Sequence, residues 1–246
     1  MNNIYIPPVV KNLLIINVLF FAATWLLQQG KVIDLDELLA VYYFDSPKFN
    51  IWQPITYMFM HGGVAHIFFN MFALYSFGSL LESRWGAKKF IIFYLVTGLG
   101  ALALQWAVQA FELYQITGHI TNQGQIPLEM LFNGQFNEDQ FTRSQALTVA
   151  SIYFGPMVGA SGAIFGLLVA FGVLYPNAEL LIMFIPVPVK AKYIIPIYIL
   201  IELSLGVAQF QGDSIAHYAH LGGALIGFIL VKLWKDKNDT FYTLYE

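Results

Sequence analysis

Long apolar stretches alternate with polar or Gly/Pro-punctuated segments along most of the 246-residue chain. A membrane-spanning helix needs about 20 predominantly apolar residues, so this pattern favours membrane spans over the shorter helices of a soluble core. It predicts six spans, of which the fifth is short. Their approximate bounds are residues 13–27, 64–81, 90–110, 156–175, 194–208 and 214–234.

The segments between these spans do not resemble further domains. Two are long, residues 28–63 and 111–155, and the second is polar and rich in Gln and Asn. A charged tail, residues 235–246, is too short to fold alone, and the chain contains no visible internal repeat. We therefore predict a single all-α, six-helix polytopic membrane domain over residues 1–246.

Composition supports a membrane environment. The chain is 58% hydrophobic and 11% charged, with a mean hydropathy of +0.62, whereas soluble domains are roughly 45–50% apolar and about 25% charged. The net charge of −3 gives no basic surface for nucleic acid. Without cysteine, the chain has no disulfide, thiol nucleophile or thiolate metal site. The expected partner is the lipid bilayer, and no nucleic acid is expected.

The distribution of Lys and Arg predicts the orientation. Lys11 precedes the first span and no small-residue cleavage site follows it, which indicates an uncleaved anchor. If the amino terminus is inside, the cations Lys31, Lys48 and Arg143 lie outside and the other nine of the 12 lie inside. The positive-inside rule then predicts cytoplasmic termini. Because no Arg-rich transit segment is visible, a bacterial-type plasma membrane is the default expectation.

Several polar side chains fall within or next to the predicted spans, where they are costly and therefore candidates for function. They are His61, His66 and Asn70 at the second span, Gly159-Ala160-Ser161-Gly162 in the fourth, Glu202 in the fifth, and His217 and His220 in the sixth.

The predicted topology places three of these side chains at one depth. Spans two, four and six all enter from the outside, with predicted starts at Gly62-Gly63, Gly155-Pro156 and Asp213 or Ser214. From these starts Asn70, Ser161 and His220 each lie about five or six residues into a helix, which is roughly 7–9 Å below its outer end.

A hydroxyl, an imidazole and an amide at one shallow depth are the groups that acyl transfer requires. An imidazole takes the proton from a serine, and fixed donors stabilise the oxyanion that forms. Near the outer face water can reach the site, which favours hydrolysis. Ser161 also lies early in its helix, where free backbone N–H groups and the helix dipole favour negative charge.

Each of these signals also has a structural interpretation. Gly162 and Gly166, four residues apart, could simply form a close helix-packing face. His66 and Asn70 share a helix face and could bond between helices. His61 and His217 lie nearer the membrane surface, where interfacial or structural roles are expected.

Metal binding and transport are competing uses of these residues. The sequence has no His-Glu-x-x-His motif, and we expect no metal and no cofactor. Glu202 is expected to be protonated or paired with Gln209 or a hydroxyl. A proton-coupled transporter is disfavoured because repeated halves are not visible.

Three segments taken together resemble the rhomboid family of intramembrane serine proteases. They are His61-Gly-Gly-Val-Ala-His66-Ile-Phe-Phe-Asn70 with Glu82-Ser-Arg84, then Gly159-Ala-Ser161-Gly162, then Ala219-His220-Leu-Gly-Gly223-Ala-Leu-Ile-Gly227. The resemblance extends from about Trp52 to Trp234. It implies that Ser161 is the nucleophile and His220 the general base of a dyad without a carboxylate. It assigns oxyanion stabilisation to the Ser161 backbone N–H, His66 and Asn70.

The resemblance also implies supporting roles. Phe165 lies where the family has an aromatic ring beneath the catalytic imidazole. Glycines at Gly159, Gly162, Gly223 and Gly227 would support the site, the last two by letting span six approach span four. Glu82 and Arg84 would be a structural pair. Where the family often has Trp-Arg, this chain has Trp52-Gln53.

The implied function is a serine endopeptidase that cuts transmembrane segments of membrane-protein substrates. Such a site would open to the outside of the membrane. The alternative is a non-catalytic rhomboid-like protein that binds membrane clients. Relatives of that kind typically lack the serine or the histidine, and this chain has both.

Overall fold

The computed structural model describes residues 6–30, 33–124, 126–182, 185–208 and 216–234. These residues are mainly helical, as the all-α prediction requires, with one short β-hairpin in addition. The elements are α1 (Pro8–Gln29), α2 (Leu35–Leu39), α3 (Gln53–Thr56), a 3₁₀ turn (Tyr57–Phe59), α4 (Val64–Ala73), a π-helical turn (Leu74–Gly78), α5 (Ser79–Trp85), α6 (Ala87–Thr117), α7 (Leu128–Phe132), α8 (Arg143–Phe154), α9 (Ser161–Leu174), β1 (Glu179–Ile182), β2 (Ile185–Lys190), α10 (Ala191–Ala208) and α11 (His217–Trp234).

The helix lengths are those of an integral membrane protein. Among the described residues, four helices are long and apolar enough to cross a membrane: α1, the continuous helix Val64–Trp85, α6 and α10. The apolar α9 has 14 residues and α11 has 18. Each of the six predicted spans overlaps one of these helices, and the number that cross the bilayer stays a prediction at six.

Helix α9 is the central element because most of its residues are buried. It packs between α6 and α11 through small side chains. A Cβ on Gly166 would lie 2.6 Å from Thr97 of α6, and one on Gly227 of α11 would lie 2.6 Å from the Gly166 Cα. The predicted close approach of spans four and six is therefore present, and glycine is what permits it.

Helix α1 is attached to the bundle at its amino-terminal end by Glu82 of α5. The buried Glu82 carboxylate accepts hydrogen bonds from the backbone N–H groups of Val9, at 2.9 Å, and Val10, at 2.7 Å. The first-turn N–H groups of a helix have no partner within it, and the positive end of its dipole favours an anion. The predicted structural role of Glu82 is thus a helix cap supplied by another helix.

The two long connections pack against each other around Asp45. Its carboxylate accepts hydrogen bonds from the Asn122 backbone N–H, at 2.6 Å, and from the Tyr153 hydroxyl, at 2.8 Å. The Tyr43 hydroxyl donates to the Ile120 carbonyl oxygen at 2.8 Å. Burial and the Asp45 charge raise the pKa of Tyr43 to about 12, so its hydroxyl stays protonated near neutral pH. These hydrogen bonds therefore attach the described part of residues 111–155 to Tyr43 and Asp45.

The predicted start of the fourth span at Gly155-Pro156 is wrong. Helix α8 ends at Phe154, and residues 155–160 are not helical, so α9 begins only at Ser161. Met157 and Val41 form a β-bridge through reciprocal backbone hydrogen bonds of 2.8 and 3.0 Å. This pairing competes with the helix, so the glycine–proline signal marks the end of α8 instead.

Two further differences concern the second half of the chain. Residues between the fourth and fifth spans form an antiparallel hairpin, in which Glu179 pairs with Lys190 and Leu181 with Pro188. The predicted caps of the sixth span, Asp213 and Ser214, lie outside the described residues. Helix α11 itself begins at His217.

Candidate active site

Ser161 and His220 form a direct side-chain hydrogen bond. The distance from Ser161 Oγ to His220 Nε2 is 2.8 Å, and the two residues are 59 positions apart in sequence. Their helices can approach this closely because Gly223 has no Cβ. A Cβ at that position would overlap the Gly162 carbonyl oxygen. The structure therefore brings together the hydroxyl and the imidazole that the family resemblance implies as a pair.

Ser161 is the first residue of α9 rather than a residue well inside it. Gly159, two residues before Ser161, has φ +127°, a backbone conformation that favours glycine. Its N–H donates to the Tyr57 carbonyl oxygen at 2.9 Å. A residue at the start of a helix has no carbonyl within that helix to receive its backbone N–H. The Ser161 N–H is therefore available to an anionic group beside its own side chain.

His66 reaches this region from α4, and Asn70 lies one turn later on the same helix. A Cβ on Gly159 would lie 2.8 Å from His66 Nε2 and 3.5 Å from Ser161 Oγ, so His66 and Ser161 flank the position that a side chain would fill. Asn70 is 6% exposed, and its Nδ2 has no hydrogen-bond partner among the described residues. A buried amide donor without a protein acceptor is unusual, and it can donate to a ligand.

Phe165 lies one turn after Ser161 on α9 and stacks on the His220 imidazole, with the ring centroids 4.3 Å apart. Tyr198 of α10 also packs against Phe165, with the ring centroids 5.2 Å apart. The aromatic ring that the resemblance implies beneath the imidazole is therefore present.

Glu202 has partners different from those expected. Its Oε2 lies 2.7 Å from His217 Nδ1 and 2.9 Å from His220 Nδ1. The expected partner Gln209 lies outside the described residues. The resemblance implied a dyad without a neighbouring carboxylate, and here the structure differs because α10 brings one to the opposite ring nitrogen of His220. Sequence reasoning predicted Glu202 within a span, but not its contact with His220.

His61 and His217 are both buried inside the protein, at 3% and 4% exposure, and their predicted position near the membrane surface stays a prediction. The His61 ring packs edge-on against His66, with centroids 5.1 Å apart. His217 packs beneath Gly206 of α10 and contacts Glu202. Neighbouring loops and helices cover both rings, which the pattern of apolar residues does not predict.

Glu202, His217 and His220 are also the described residues whose ligand atoms come close enough to hold a metal ion, all within 4.8 Å of one another. Their shortest separations favour hydrogen bonds instead. Two ligands on a tetrahedral zinc ion, with bonds of about 2.0–2.1 Å, lie roughly 3.3 Å apart. The two Nδ1 to Oε2 distances of 2.7 and 2.9 Å are shorter than that.

Gln53 organises the first long connection beside the site. It is fully buried, its Nε2 donates to the Lys48 carbonyl oxygen at 3.1 Å, and its Oε1 accepts the Asn50 N–H at 3.0 Å. The neighbouring Trp52 donates its indole N–H to the Leu38 carbonyl oxygen at 3.0 Å. The neutral amide therefore pairs with backbone groups of the residues just before it.

The sequence comparisons show which family the chain belongs to. The Rhomboid domain family model matches residues 48–235, more than half of the chain. The chain belongs to the rhomboid family. Rhomboid proteases act on membrane-protein substrates within the bilayer, and membership supports an intramembrane protease function in general terms.

Three relatives illustrate the range of this similarity. An uncharacterized mitochondrial rhomboid protein of Schizosaccharomyces pombe is 25% identical over 206 residues, covering 76% of this chain and 52% of that protein. Rhomboid protein 1, mitochondrial, of Saccharomyces cerevisiae is 28% identical over 172 residues, or 70% and 38% of the two chains. Rhomboid protease AarA of Providencia stuartii is 26% identical over 183 residues, or 73% and 54%.

These relatives bear on length and location. The rhomboid chain spans about half or less of the length of each of the three. Two of them are mitochondrial by name and one is bacterial, so the predicted bacterial-type plasma membrane is not supported. An integral membrane location is supported by the family and by the apolar helices.

Proposed function

We propose that this rhomboid is a serine endopeptidase that cleaves transmembrane segments of membrane-protein substrates with a Ser161–His220 dyad. The observation that carries the proposal is the 2.8 Å hydrogen bond between Ser161 Oγ and His220 Nε2. This distance lies within the range at which an imidazole can take a proton from a serine hydroxyl.

In the first half of the reaction, Ser161 Oγ attacks the carbonyl carbon of the scissile bond and its proton passes to His220 Nε2. The carbonyl oxygen becomes an oxyanion. The Ser161 N–H, His66 and Asn70 are its proposed donors. The buried Asn70 Nδ2, which has no partner in the part of the chain that the structure describes, supports that role. Removing one such donor typically costs about 10²–10³-fold in kcat.

The tetrahedral intermediate then collapses, the C–N bond breaks, and the leaving amine takes the proton from His220. The product is an ester between Ser161 and the substrate acyl group. A water molecule gives a proton to His220 Nε2 and attacks the ester, and the proton returns to Ser161 Oγ as the acid leaves. The partial exposure of His220, 12% for its side chain, is compatible with water reaching this point.

The substrate must offer an unwound backbone to this site. A transmembrane helix hides its carbonyl groups in internal hydrogen bonds, so local unwinding has to precede attack. Segments that contain Gly, Pro or polar residues unwind at lower cost, and they are the expected substrates.

The proposed orientation places both termini in the compartment richer in Lys and Arg and the site near the opposite face. The nine-to-three distribution of cations across the six predicted spans supports it. A protease-protection assay on sealed vesicles would test it. Tags at the two termini should be either both protected or both digested, because the termini lie on the same side of the membrane.

The activity test uses the full chain in liposomes with a single-span substrate. Wild type should cleave it, and Ser161→Ala and His220→Ala should not. Ser151→Ala and His119→Ala are matched controls, because both residues lie in the 111–155 connection away from the dyad, and they should cleave like wild type. A fluorophosphonate probe should label wild type at Ser161. Substrate binding without cleavage or labelling would favour the client-binding alternative.

A further inference from the structure

Glu202 sits on the far side of His220 from the nucleophile. Its Oε2 lies 2.9 Å from His220 Nδ1, while the other ring nitrogen, Nε2, lies 2.8 Å from Ser161 Oγ. Three side chains from α9, α11 and α10 thus form one continuous line of hydrogen-bonded atoms. Glu202 has 5% of its surface exposed, so the solvent does not screen it strongly.

We propose that Glu202 is a positioning residue of the hydrolytic site, so that the working group is Ser161–His220–Glu202 rather than a dyad. The inference rests on the proposed function and deepens it. A carboxylate can only accept hydrogen bonds, so its contact with Nδ1 requires the proton of a neutral His220 to be on that nitrogen. Nε2 is then unprotonated and faces the Ser161 hydroxyl as an acceptor.

The same contact stabilises the transition state. When the Ser161 proton moves to Nε2, His220 becomes a cation whose Nδ1–H already points to the Glu202 carboxylate. Charge-assisted hydrogen bonds of this kind are about twice as strong as neutral ones. Glu202 touches neither the substrate nor the reacting atoms, so its effect is transmitted through His220.

His217 supplies the second donor that holds Glu202 in place. Its Nδ1 lies 2.7 Å from the same Oε2, so two imidazole N–H groups converge on one carboxylate oxygen. A buried carboxylate is costly unless hydrogen bonds satisfy it, and these two offset that cost. Other titratable side chains around the group are Tyr198 on α10 and His66 on α4.

The kinetic test compares Glu202→Gln and Glu202→Asp with wild type in proteoliposomes. Gln keeps the size of the side chain, but its amide can either donate to Nδ1 or accept from it, so it does not fix the tautomer of His220. We therefore expect kcat to fall by at least about 100-fold and KM to stay within about twofold. Asp keeps the carboxylate and should recover part of kcat. Glu82→Gln is the matched control, because it alters a buried carboxylate that caps α1, and it should lower thermal stability without lowering kcat in the folded fraction.

A spectroscopic readout separates positioning from stability. The chain has five histidines, so ¹⁵N-histidine spectra of wild type and His220→Ala identify the His220 signals by difference. Wild type should show His220 protonated at Nδ1, and Glu202→Gln should shift protonation toward Nε2. A wild-type Nε2–H tautomer would overturn the inference.

The outcomes distinguish this inference from the function on which it rests. If wild type cleaves, Ser161→Ala and His220→Ala do not, and Glu202→Gln retains wild-type kcat, Glu202 is not a positioning residue and the dyad stands. If wild type neither cleaves nor labels with fluorophosphonate, the proposed function fails and this inference fails with it.

Discussion

The Phe165 ring lies nearly parallel to the His220 imidazole, with an interplanar angle of 9°. Stacking restricts the plane of the imidazole, while its two ring nitrogens contact Ser161 and Glu202. Orientation of His220, the proposed general base, therefore depends in part on its contact with an apolar ring.

Replacing this ring tests its contribution to orientation. Phe165→Leu keeps most of the apolar volume but removes the flat surface, so kcat should fall by about 10-fold with KM little changed. Proteoliposome kinetics measure this. Phe171→Leu is the matched control on the same helix, since Phe171 is equally buried but packs toward α10 away from the dyad, and it should keep wild-type kcat. Equal losses in both variants would contradict a role in orientation.

Gly159→Ala should abolish cleavage. Its φ of +127° is strained for any residue with a Cβ, and that Cβ would lie 2.8 Å from His66 Nε2 in the region proposed for the oxyanion. We expect kcat to fall by at least about 100-fold. Gly63→Ala is the control, because that glycine has extended backbone and open space around it. Cleavage by Gly159→Ala at the wild-type rate would exclude Gly159 from the oxyanion region.

Asn70→Leu should separate stability from activity. Its buried Nδ2 has no partner among the described residues, which costs folding free energy of about 1–3 kcal/mol, so an apolar side chain of similar size should leave the unfolding midpoint unchanged or raise it. The proposed oxyanion contact would be lost, and kcat should fall by about 10²–10³-fold. Denaturant titration and proteoliposome kinetics measure the two effects. A parallel loss of both would indicate a structural role only.

Removal of metal should leave the activity intact. The Nδ1 to Oε2 distances of 2.7 and 2.9 Å in the Glu202, His217 and His220 cluster are those of hydrogen bonds. Chelator-treated protein should therefore keep kcat within about twofold of untreated protein. Loss of cleavage on EDTA treatment, with recovery on adding zinc, would contradict the hydrogen-bonded arrangement.

The sequence predicts contacts that follow a short period along one helix. Gly223 and Gly227 are four residues apart, and in the structure both face α9, where they meet Gly162 and Gly166. Helical periodicity is sufficient for such pairs. The fold class could be predicted from the length of the apolar stretches, because a helix needs about 20 apolar residues to cross a bilayer.

Contacts between distant segments could not be predicted in this way. The β-bridge from Met157 to Val41 moves the start of α9 to Ser161, although the Gly155-Pro156 pair is an ordinary helix-start signal. Glu202 reaches His220, 18 positions away, because α10 and α11 pack against each other. No local sequence pattern predicts which residues of the two helices lie side by side. Composition likewise gives no sign of the β1–β2 hairpin.

The cap that Glu82 provides has a consequence for protein production. The Rhomboid domain match begins at residue 48, so α1 lies outside it, yet Glu82 lies inside and accepts the N–H groups of Val9 and Val10. A shortened chain cut at the edge of that match would leave a buried carboxylate without its two donors. Truncated versions intended for purification or crystallisation should therefore begin before Pro8.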